Sequence, residues 1–353
     1  MEEWKRLVRD TVNTPDKLAA IFDVDVEEMR RVHEVFPIRI NPYYLSLIEA
    51  PGDPIWKQVV PEPKELIRTG FEEDDPLAEE SDSEVPNVTH RYPDRALFYV
   101  NYMCPIYCRF CTRKRKVGDP NSTPDNNIEM GLQYIREHPE IRDVILSGGD
   151  PLMLTDRKID YIVGGLREIE HLEIIRIGSR VPVTLPQRIT PELCAILKKY
   201  HPFYINTHFN HPREITPETT KACAMLADAG IPLGNQCVLL RGVNDDPAVM
   251  ADLMKKLLKI RVKPYYIYQT DLVYGTDHFR TSIEKGLEIV AALRGHISGL
   301  GVPHYVVDAP GGGGKIALTP DPIVSFNDKD IELRNYEGNV YSYPSAPFYG
   351  EDW

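Results

Sequence analysis

The sequence predicts an α/β fold, a partial (β/α)6 barrel with a helical region before it and a further segment after it. From residue 97 onward, short β-rich runs alternate with longer amphipathic segments, which is the pattern of βα units that build a parallel sheet. Six such units are found, too few for a complete eight-stranded barrel. With 42% hydrophobic and 27% charged residues, the composition is that of a soluble globular protein rather than a disordered or fibrous one.

Residues 1–85 are predicted to form a helical N-terminal region that ends in an acidic linker. Thr14-Pro15-Asp16 has the residues typical of a helix start, and a second helix is expected over residues 23–36. Residues 71–87 are acidic and poor in apolar side chains, so they are interpreted as a solvated loop. The barrel is assigned to residues 86–300 and the C-terminal segment to residues 301–353.

The barrel elements are read from the alternation of apolar runs and amphipathic segments. Two of the helices start at Thr-Pro pairs, at Thr190 and at Thr216, where threonine can cap the helix and proline fits the first turn. The predicted strands are residues 97–102, 143–148, 174–178, 204–209, 232–240 and 265–271, with a further strand at 304–309. The predicted helices are residues 128–138, 156–170, 191–201, 217–230, 246–260 and 282–298.

Composition and charge exclude several classes of protein. No run of about 18 apolar residues occurs, which argues against a membrane span. The charged N-terminus has no apolar core, so it is not expected to be a secretory signal. The net charge, 41 − 53 = −12, argues against a nucleic-acid surface. Six cysteines are too sparse for a disulfide framework, and a reducing, cytoplasmic location is expected.

Polar residues recur at the ends of successive predicted strands. Ligands of parallel α/β folds bind at these carboxyl ends, so one shared site is expected there. The residues are Cys104, Gly148-Gly149-Asp150, Arg180, His208, Gln236 and Asp271.

The cysteine motif is Cys104-x3-Cys108-x2-Cys111. Zinc sites usually take four ligands, often as paired C-x2-C units, and this chain has no second pair. Three thiolates on a cube-shaped iron–sulfur cluster would leave one iron open to a ligand. The alternative is three unrelated thiols in a loop. Cys194, Cys223 and Cys237 are interpreted as buried core thiols.

Long stretches of the chain resemble the lysine 2,3-aminomutase family of the radical S-adenosylmethionine (SAM) superfamily. The similarity spans roughly residues 4–345 and includes LSGGDPLML and YINTHFNHPREIT. The longest matching stretches are HRYPDRALFYVNYMCPIYCRFCTRKRKVGDP, IRIGSRVPVTLPQRITPEL and DAPGGGGKIALTPDPIVSFNDKDIELRNYEG. The resemblance implies a radical SAM barrel.

The resemblance also implies a first set of cofactors. Cys104, Cys108 and Cys111 would hold a [4Fe-4S] cluster whose open iron binds SAM, and reduction would yield a 5′-deoxyadenosyl radical. Gly148, Gly149 and Asp150 would hold the methionine ammonium; by itself this triplet would be a turn signal. His208 and Gln236 match family positions that contact SAM, although each alone would more often be structural.

A run of four glycines, Gly311–Gly314, precedes Lys315. It is not a phosphate-binding P-loop, because isoleucine and not serine or threonine follows the lysine. A mobile loop with a solvated lysine is one interpretation. The resemblance implies another, a Schiff base between Lys315 and pyridoxal phosphate (PLP). Arg91, Tyr92 and Arg95 match a family stretch that lies beside this cofactor, with a salt-bridged loop as the alternative.

The substrate also follows from the resemblance. Arg113 matches the arginine that grips the substrate carboxylate, Asp271 and Asp308 match the aspartates that hold a side-chain ammonium, and Tyr268 matches a pocket residue. Two carboxylates favour L-lysine over L-glutamate, whose own carboxylate they would repel. The expected reaction therefore moves the 2-amino group of L-lysine to the 3-position and gives β-lysine. The same reaction on L-arginine or L-glutamate is the alternative, and a non-enzymatic iron–sulfur protein is a more distant one.

Several further expectations follow. Longer family members carry zinc between subunits, but here Asp245-Asp246 follows the GVN turn and the C-terminal cysteines are missing, so no zinc is predicted. The expected partners are a free amino-acid substrate and a one-electron reductant such as flavodoxin or ferredoxin. A homo-oligomer is expected, with no nucleic acid and no membrane.

Overall fold

The structure, a computed structural model, describes residues 2–118, 125–327 and 330–344. The last residues of the predicted C-terminal segment and part of the segment that follows the cysteine motif lie outside the described residues. None of the described helices is both long enough and apolar enough to cross a membrane.

The N-terminal region is helical, as predicted. Its helices are α1 (Glu3–Arg9), α2 (Pro15–Ala19), α3 (Val26–Val35), α4 (Pro42–Leu45) and α5 (Pro54–Val59). Thr14 caps α2 by accepting a hydrogen bond from the backbone N–H of Lys17 at 3.3 Å, and Asp25 caps α3 in the same manner. The first expected helix start is therefore confirmed, and the second helix begins at Val26 rather than at residue 23.

The acidic stretch 71–87 is a loop, as predicted, but only part of it is solvated, and that part of the prediction needs correction. Glu79 is only 4% exposed, and its carboxylate pairs with Arg113 at 2.6 Å. Asp75 pairs with Arg115 at 3.0 Å, and other acids of the stretch pair with basic side chains of the barrel. The acidic composition was misleading because basic partners from the barrel neutralise these carboxylates, and a charge count along the chain cannot show them.

In the described residues one sheet has nine strands in sequence order, with β2 to β8 parallel and with β1 and β9 antiparallel at the edges. The strands are β1 (Val88–Tyr92), β2 (Arg95–Asn101), β3 (Asp143–Gly148), β4 (Ile174–Gly178), β5 (Phe203–Thr207), β6 (Leu233–Leu239), β7 (Val262–Gln269), β8 (His304–Ala309) and β9 (Gly314–Leu318). The connecting helices are α6 (Asp125–Glu137), α7 (Asp156–Arg167), α8 (Val181–Thr184), α9 (Pro191–Leu197), α10 (Pro217–Asp228), α11 (Pro247–Lys259) and α12 (Ile283–Leu293). The predicted partial (β/α)6 barrel is confirmed, with β8 as a seventh parallel strand.

The two faces of the sheet differ in character. Ile175 and Ile177 of β4 are fully buried and belong to the main core, whereas Arg176 between them pairs with Asp143 of β3 at 2.6 Å. This alternation puts aliphatic side chains against the helices and leaves polar side chains on the other face of the sheet. The functional side chains described below lie on this polar face or beyond the strand ends.

The sheet curls until its two edges meet. Eight strand spacings of about 4.8 Å would hold β1 and β9 roughly 38 Å apart in a flat sheet. Instead, the backbone N–H of Lys315 in β9 donates to the hydroxyl of Tyr92, the last residue of β1, at 3.1 Å. The edges therefore touch at one end, which makes the curled sheet a nearly closed barrel.

The chain continues beyond the barrel into a small antiparallel sheet that the sequence did not predict. Its strands are β10 (Ile323–Phe326), β11 (Asp330–Arg334) and β12 (Val340–Pro344). Large apolar side chains are exposed on it, including Phe326, which is 72% exposed.

Candidate active site

A cavity of about 240 Å³ lies at the carboxyl ends of the parallel strands. It brings together the three motif cysteines and the predicted SAM residues, as well as Arg113. Its lining includes Cys104, Cys108, Cys111, Arg113, Gly148, Gly149, Asp150, Arg180, His208 and Gln236. The convergence expected from the strand ends therefore holds for these residues but not for Asp271, which lines a separate cavity.

The three motif cysteines are half-buried. Burial raises the pKa of the Cys104 thiol well above its usual value and raises the pKa of Cys111 to about 11, with neighbouring Cys108 adding to the second shift. A bound metal centre would have to displace these protons. Among the described residues, no three His, Cys, Asp or Glu side chains form a group that could hold one metal ion. An iron–sulfur cluster has a different requirement, because each cysteine binds a separate iron and the three thiols need not meet at one point.

A buried charge cluster fixes the loop that carries the cysteines. Arg109, between Cys108 and Cys111, and Glu65 of the N-terminal region have no exposed side-chain surface and pair at 2.7 Å. Lys114 donates to the same carboxylate at 2.7 Å, and burial lowers the pKa of Lys114 to about 8. One buried carboxylate thus pairs with two cations of the cysteine loop.

We expect Glu65→Gln to destabilise the cofactor-free protein by about 3–5 kcal/mol, because the change leaves two buried cations without their anion. The measurement is equilibrium unfolding in urea. Glu288→Gln is the matched control: Glu288 pairs with Lys285 on an exposed helix surface, and its loss should cost less than about 1 kcal/mol. Equal losses for the two variants would contradict the buried-cluster account.

The Gly148-Gly149-Asp150 turn is shaped by close backbone contacts. Gly148 has a φ of 129°, and a Cβ on it would lie 2.0 Å from the carbonyl oxygen of Asn101. A Cβ on Gly149 would lie 2.5 Å from the backbone of Tyr102. Only glycine fits these two positions, so the turn can lie directly against the strand that leads to the cysteines.

The carboxylate of Asp150 is already fully hydrogen-bonded. It accepts bonds from the Ser179 hydroxyl at 2.8 Å and from the backbone N–H groups of Leu152, Arg180 and Val181 at 2.7–3.0 Å. Four bonds use the ordinary accepting capacity of a carboxylate. In this structure Asp150 therefore fixes the turn, and direct pairing with a methionine ammonium remains a prediction.

Arg180 is a site residue whose contacts the sequence did not reveal. Its Nη1 donates to the Cys108 sulfur at 2.9 Å, and its Nη2 donates to buried Glu214 at 2.8 Å. Its Nε donates to the backbone carbonyl of His208 at 3.1 Å. Burial, reinforced by Arg180, lowers the pKa of His208 to about 3, so this imidazole is neutral near pH 7. The sequence signals for Arg180 were its place after a strand and its position in a stretch that resembles the family, and neither showed its partners.

A second group of side chains surrounds Lys315. The Lys315 Nζ pairs with Asp308 at 2.8 Å and lies 5.2 Å from the ring centroid of Tyr268. Asp308 and Asp271 line one cavity of about 290 Å³. Burial raises the pKa of Asp271 to about 6, and Asp308 adds to the shift while a hydrogen bond from Thr112 opposes it.

Two hydrogen bonds connect the two groups. Thr112, which directly follows Cys111, donates to Asp271 at 2.6 Å. Gln236, which lines the cysteine cavity, donates to the hydroxyl of Tyr268 at 3.1 Å. A substrate held by Asp271 would therefore lie within a few ångströms of a residue of the cysteine loop.

Tyr92, Arg95 and Arg91, at and near the end of β1, make different kinds of contact. The Tyr92 hydroxyl binds the backbone of Lys315, and the guanidinium of Arg95 stacks 4.2 Å from the centroid of the Tyr92 ring. Arg91 pairs with Asp82 at 2.7 Å, which agrees with the alternative prediction of a salt-bridged loop. Its guanidinium also lies beside Gly312 in the glycine run. A lysine amine with arginines nearby suits a phosphorylated aldehyde, so these residues fit PLP.

The carboxylate of Glu79 binds the Nε–Nη2 edge of the Arg113 guanidinium. Its Nε and Nη2 contact both carboxylate oxygens of Glu79 at 2.6–3.1 Å, and its Nη1 contacts the Ser147 hydroxyl at 3.3 Å. Although burial opposes its charge, Glu79 raises the pKa of Arg113 well above its usual value. The edge formed by Nη1 and Nη2 is the one that remains for a second carboxylate. Glu79 was missed because it belongs to the acidic stretch interpreted as solvated.

Comparison with known proteins gives two family matches. The model described as lysine-2,3-aminomutase matches residues 290–352, and the model described as radical SAM superfamily matches residues 98–254. The chain is 52% identical to an L-lysine 2,3-aminomutase of Acetoanaerobium sticklandii, covering 98% of this chain and 85% of the relative. It is 54% identical to an L-lysine 2,3-aminomutase of Methanococcus maripaludis, with coverage of 97% and 80%. It is also 47% identical to a glutamate 2,3-aminomutase of Clostridioides difficile, with coverage of 98% and 82%.

Proposed function

From the premise that the chain belongs to the lysine 2,3-aminomutase family of the radical SAM superfamily, we propose that it converts L-lysine to β-lysine by moving the 2-amino group to the 3-position. The family assignment and the isomerase class predicted from the sequence are confirmed. The cofactors of this family are a [4Fe-4S] cluster, SAM and PLP, as the sequence predicted.

One observation carries the proposal. The hydrogen bond from Thr112 to Asp271 joins the cysteine loop to a residue proposed for the amino acid, which supports a single site for the cluster and the substrate. When bound, the cluster and SAM supply a hydrogen-abstracting radical, and PLP supplies a conjugated system that stabilises an unpaired electron. The protein contributes orientation, charge and exclusion of water.

Different residues would bind different groups of the substrate and of the cofactors. The Nη1–Nη2 edge of Arg113, which also contacts Ser147, would hold the α-carboxylate, and Asp271 and Asp308 would hold the side-chain ammonium. Cys104, Cys108 and Cys111 would hold the cluster, with Gly148, Gly149, Asp150, His208 and Gln236 around SAM. Lys315 would bind PLP, with Tyr92, Arg91 and Arg95 beside it. Tyr268 would lie in the substrate pocket, between Gln236 of the cysteine cavity and Lys315.

Two carboxylates in one pocket favour a cationic side chain. Each attracts an ammonium at 4 Å by about 4 kcal/mol at an effective dielectric of 20, before desolvation is counted. The carboxylate of L-glutamate would be repelled by the same groups, and the chain is 47% identical to the glutamate enzyme but 52% and 54% identical to the two lysine enzymes. L-Lysine is therefore preferred to L-glutamate.

The proposed function is tested by anaerobic assay of the reconstituted protein with SAM, PLP and a reductant. L-Lysine, L-arginine and L-glutamate are offered separately, and each β-amino acid is sought by mass spectrometry. β-Lysine as the main product supports the proposal. β-Arginine or β-glutamate as the main product would support the 2,3-aminomutase reaction but contradict L-lysine as the substrate.

Asp271→Asn is expected to lower kcat/KM for L-lysine about 10- to 100-fold. The loss corresponds to a charged hydrogen bond worth about 1.5–3 kcal/mol. L-Norleucine has no side-chain ammonium, so the ratio of kcat/KM for lysine to that for norleucine should fall by the same factor. Asp252→Asn, on a partly exposed helix surface, is the control. An unchanged ratio in Asp271→Asn would rule out the ammonium contact.

The remaining expectations are part of this proposal. A one-electron reductant such as flavodoxin or ferredoxin would donate an electron to the cluster. The enzyme would act in the cytoplasm. We further propose a homo-oligomer, which is supported by the exposed apolar side chains of β10 to β12, among them Phe326, Tyr341 and Tyr343.

A further inference from the structure

The amine of Lys315 occupies a specific position in the cofactor-free protein. Its Nζ lies 2.8 Å from Asp308 Oδ1 and 2.9 Å from Oδ2. The two residues are direct partners in the antiparallel pairing of β8 with β9, so the backbone register holds them opposite each other. The side chain of Asp308 is only 9% exposed, so few competing water molecules reach this carboxylate.

The surroundings of this amine are those proposed for the substrate ammonium. The positive charge of Lys315 also acts on Asp271, where it opposes the raised pKa that burial and Asp308 produce. The ring of Tyr268 lies on another side of the amine, 5.2 Å from it. The lysine of the protein thus pairs with one of the two carboxylates proposed for a lysine substrate, and its charge acts on the other.

Two ammonium groups cannot share this place without a large cost. At a separation of 4 Å and an effective dielectric of 20, their repulsion is about 4 kcal/mol. We propose that Asp308 serves two ammonium groups in turn: that of Lys315 in the cofactor-free protein, and that of the substrate side chain once Lys315 has reacted with PLP. This inference rests on the proposed function and adds an order of events to it.

The chemistry of cofactor capture explains the exchange. The Lys315 ammonium releases one proton to solvent, its nitrogen forms a C=N bond to the aldehyde carbon of PLP, and the aldehyde oxygen leaves as water with the two remaining amine hydrogens. An ammonium has three N–H donors, whereas the nitrogen of the product carries at most one. It can no longer bind both oxygens of Asp308. Cofactor capture therefore frees the carboxylate for the incoming substrate.

The test measures binding of L-lysine to the cofactor-free protein by calorimetry. Lys315→Met removes the competing charge, so we expect it to bind L-lysine at least about tenfold more tightly than the unmutated protein. The gain should be absent for L-norleucine, and it should disappear in the double variant Lys315→Met/Asp308→Asn. Lys285→Met removes a lysine from a helix surface and is the matched control, with no expected gain.

Each outcome decides the inference. Equal affinities of the unmutated and Lys315→Met proteins, or no measurable L-lysine binding by the cofactor-free Lys315→Met protein, would overturn it. Lys315→Gln replaces the methionine variant if the latter does not fold. Failure of the proposed function is distinguishable, because the fully reconstituted, unmutated enzyme would then form no β-lysine. A reconstituted enzyme that forms β-lysine, without a gain in Lys315→Met, would reject only the shared use of Asp308.

Discussion

Lys315→Ala is expected to reduce turnover by about 10³-fold or more and to remove the visible absorbance of lysine-bound PLP. The variant lacks the amine that would bind the cofactor covalently, and no positioning residue can replace a lost nucleophile. The iron–sulfur cluster should be retained, because Lys315 contacts Asp308, Tyr92 and Tyr268 rather than the cysteines. Absorbance spectroscopy with added PLP and iron analysis on the same sample measure both effects.

Lys255→Ala is the matched control for this prediction. Lys255 is exposed on α11, so its loss should leave the absorbance, the iron content and the turnover unchanged. An undiminished cofactor absorbance in Lys315→Ala would show that another amine carries PLP. The assignment of Lys315 would then be withdrawn, although the cluster assignment would stand.

Cys111→Ala is expected to produce the opposite pattern. Removing one of three thiolate ligands should abolish cluster assembly, formation of 5′-deoxyadenosine and turnover, again by about 10³-fold or more. The absorbance of Lys315-bound PLP should persist, because the two groups lie on different elements of the site. Iron analysis, electron paramagnetic resonance after reduction, and absorbance with added PLP make the comparison.

Cys194→Ala serves as the control for Cys111→Ala. Cys194 is a buried core thiol of α9, so its truncation costs some stability but should leave the iron content unchanged. A full complement of cluster in Cys111→Ala would exclude this residue as a ligand. Loss of both cluster and PLP binding would indicate instead that the whole fold depends on the residue.

The barrel strands were predictable because each combines a local apolar run with a clear boundary. The strands at 143–148 and 174–178 begin and end where the sequence predicted. The last barrel helix was expected to reach residue 298 but ends at Leu293, shortly before Gly295, whose φ is 76°. The edge strand β9 was not predicted, because its pairing with β8 depends on a partner strand rather than on the glycine run that it follows.

In the candidate site too, residues in local motifs were predictable and residues that act through distant partners were not. Motif residues such as Cys104 and Lys315 were found from contiguous sequence; Cys104 lines the cysteine cavity, and Lys315 pairs with Asp308. Glu79 and Glu65 act on arginines 34 and 44 residues away, and such pairs leave no local pattern. Thr112 appears unremarkable in sequence, yet its hydroxyl joins the two halves of the site.

The central claim is that the cysteine cavity and Lys315 act on one amino acid. The most direct test uses L-lysine carrying deuterium at C3 in an anaerobic reaction with the reconstituted enzyme, SAM, PLP and a reductant. Mass spectrometry then follows the deuterium. The account predicts β-lysine together with deuterium on the 5′-carbon of the adenosyl group. β-Lysine formed without any deuterium on that carbon would contradict the account, because the amino group would then have moved without the radical chemistry of the cysteine site.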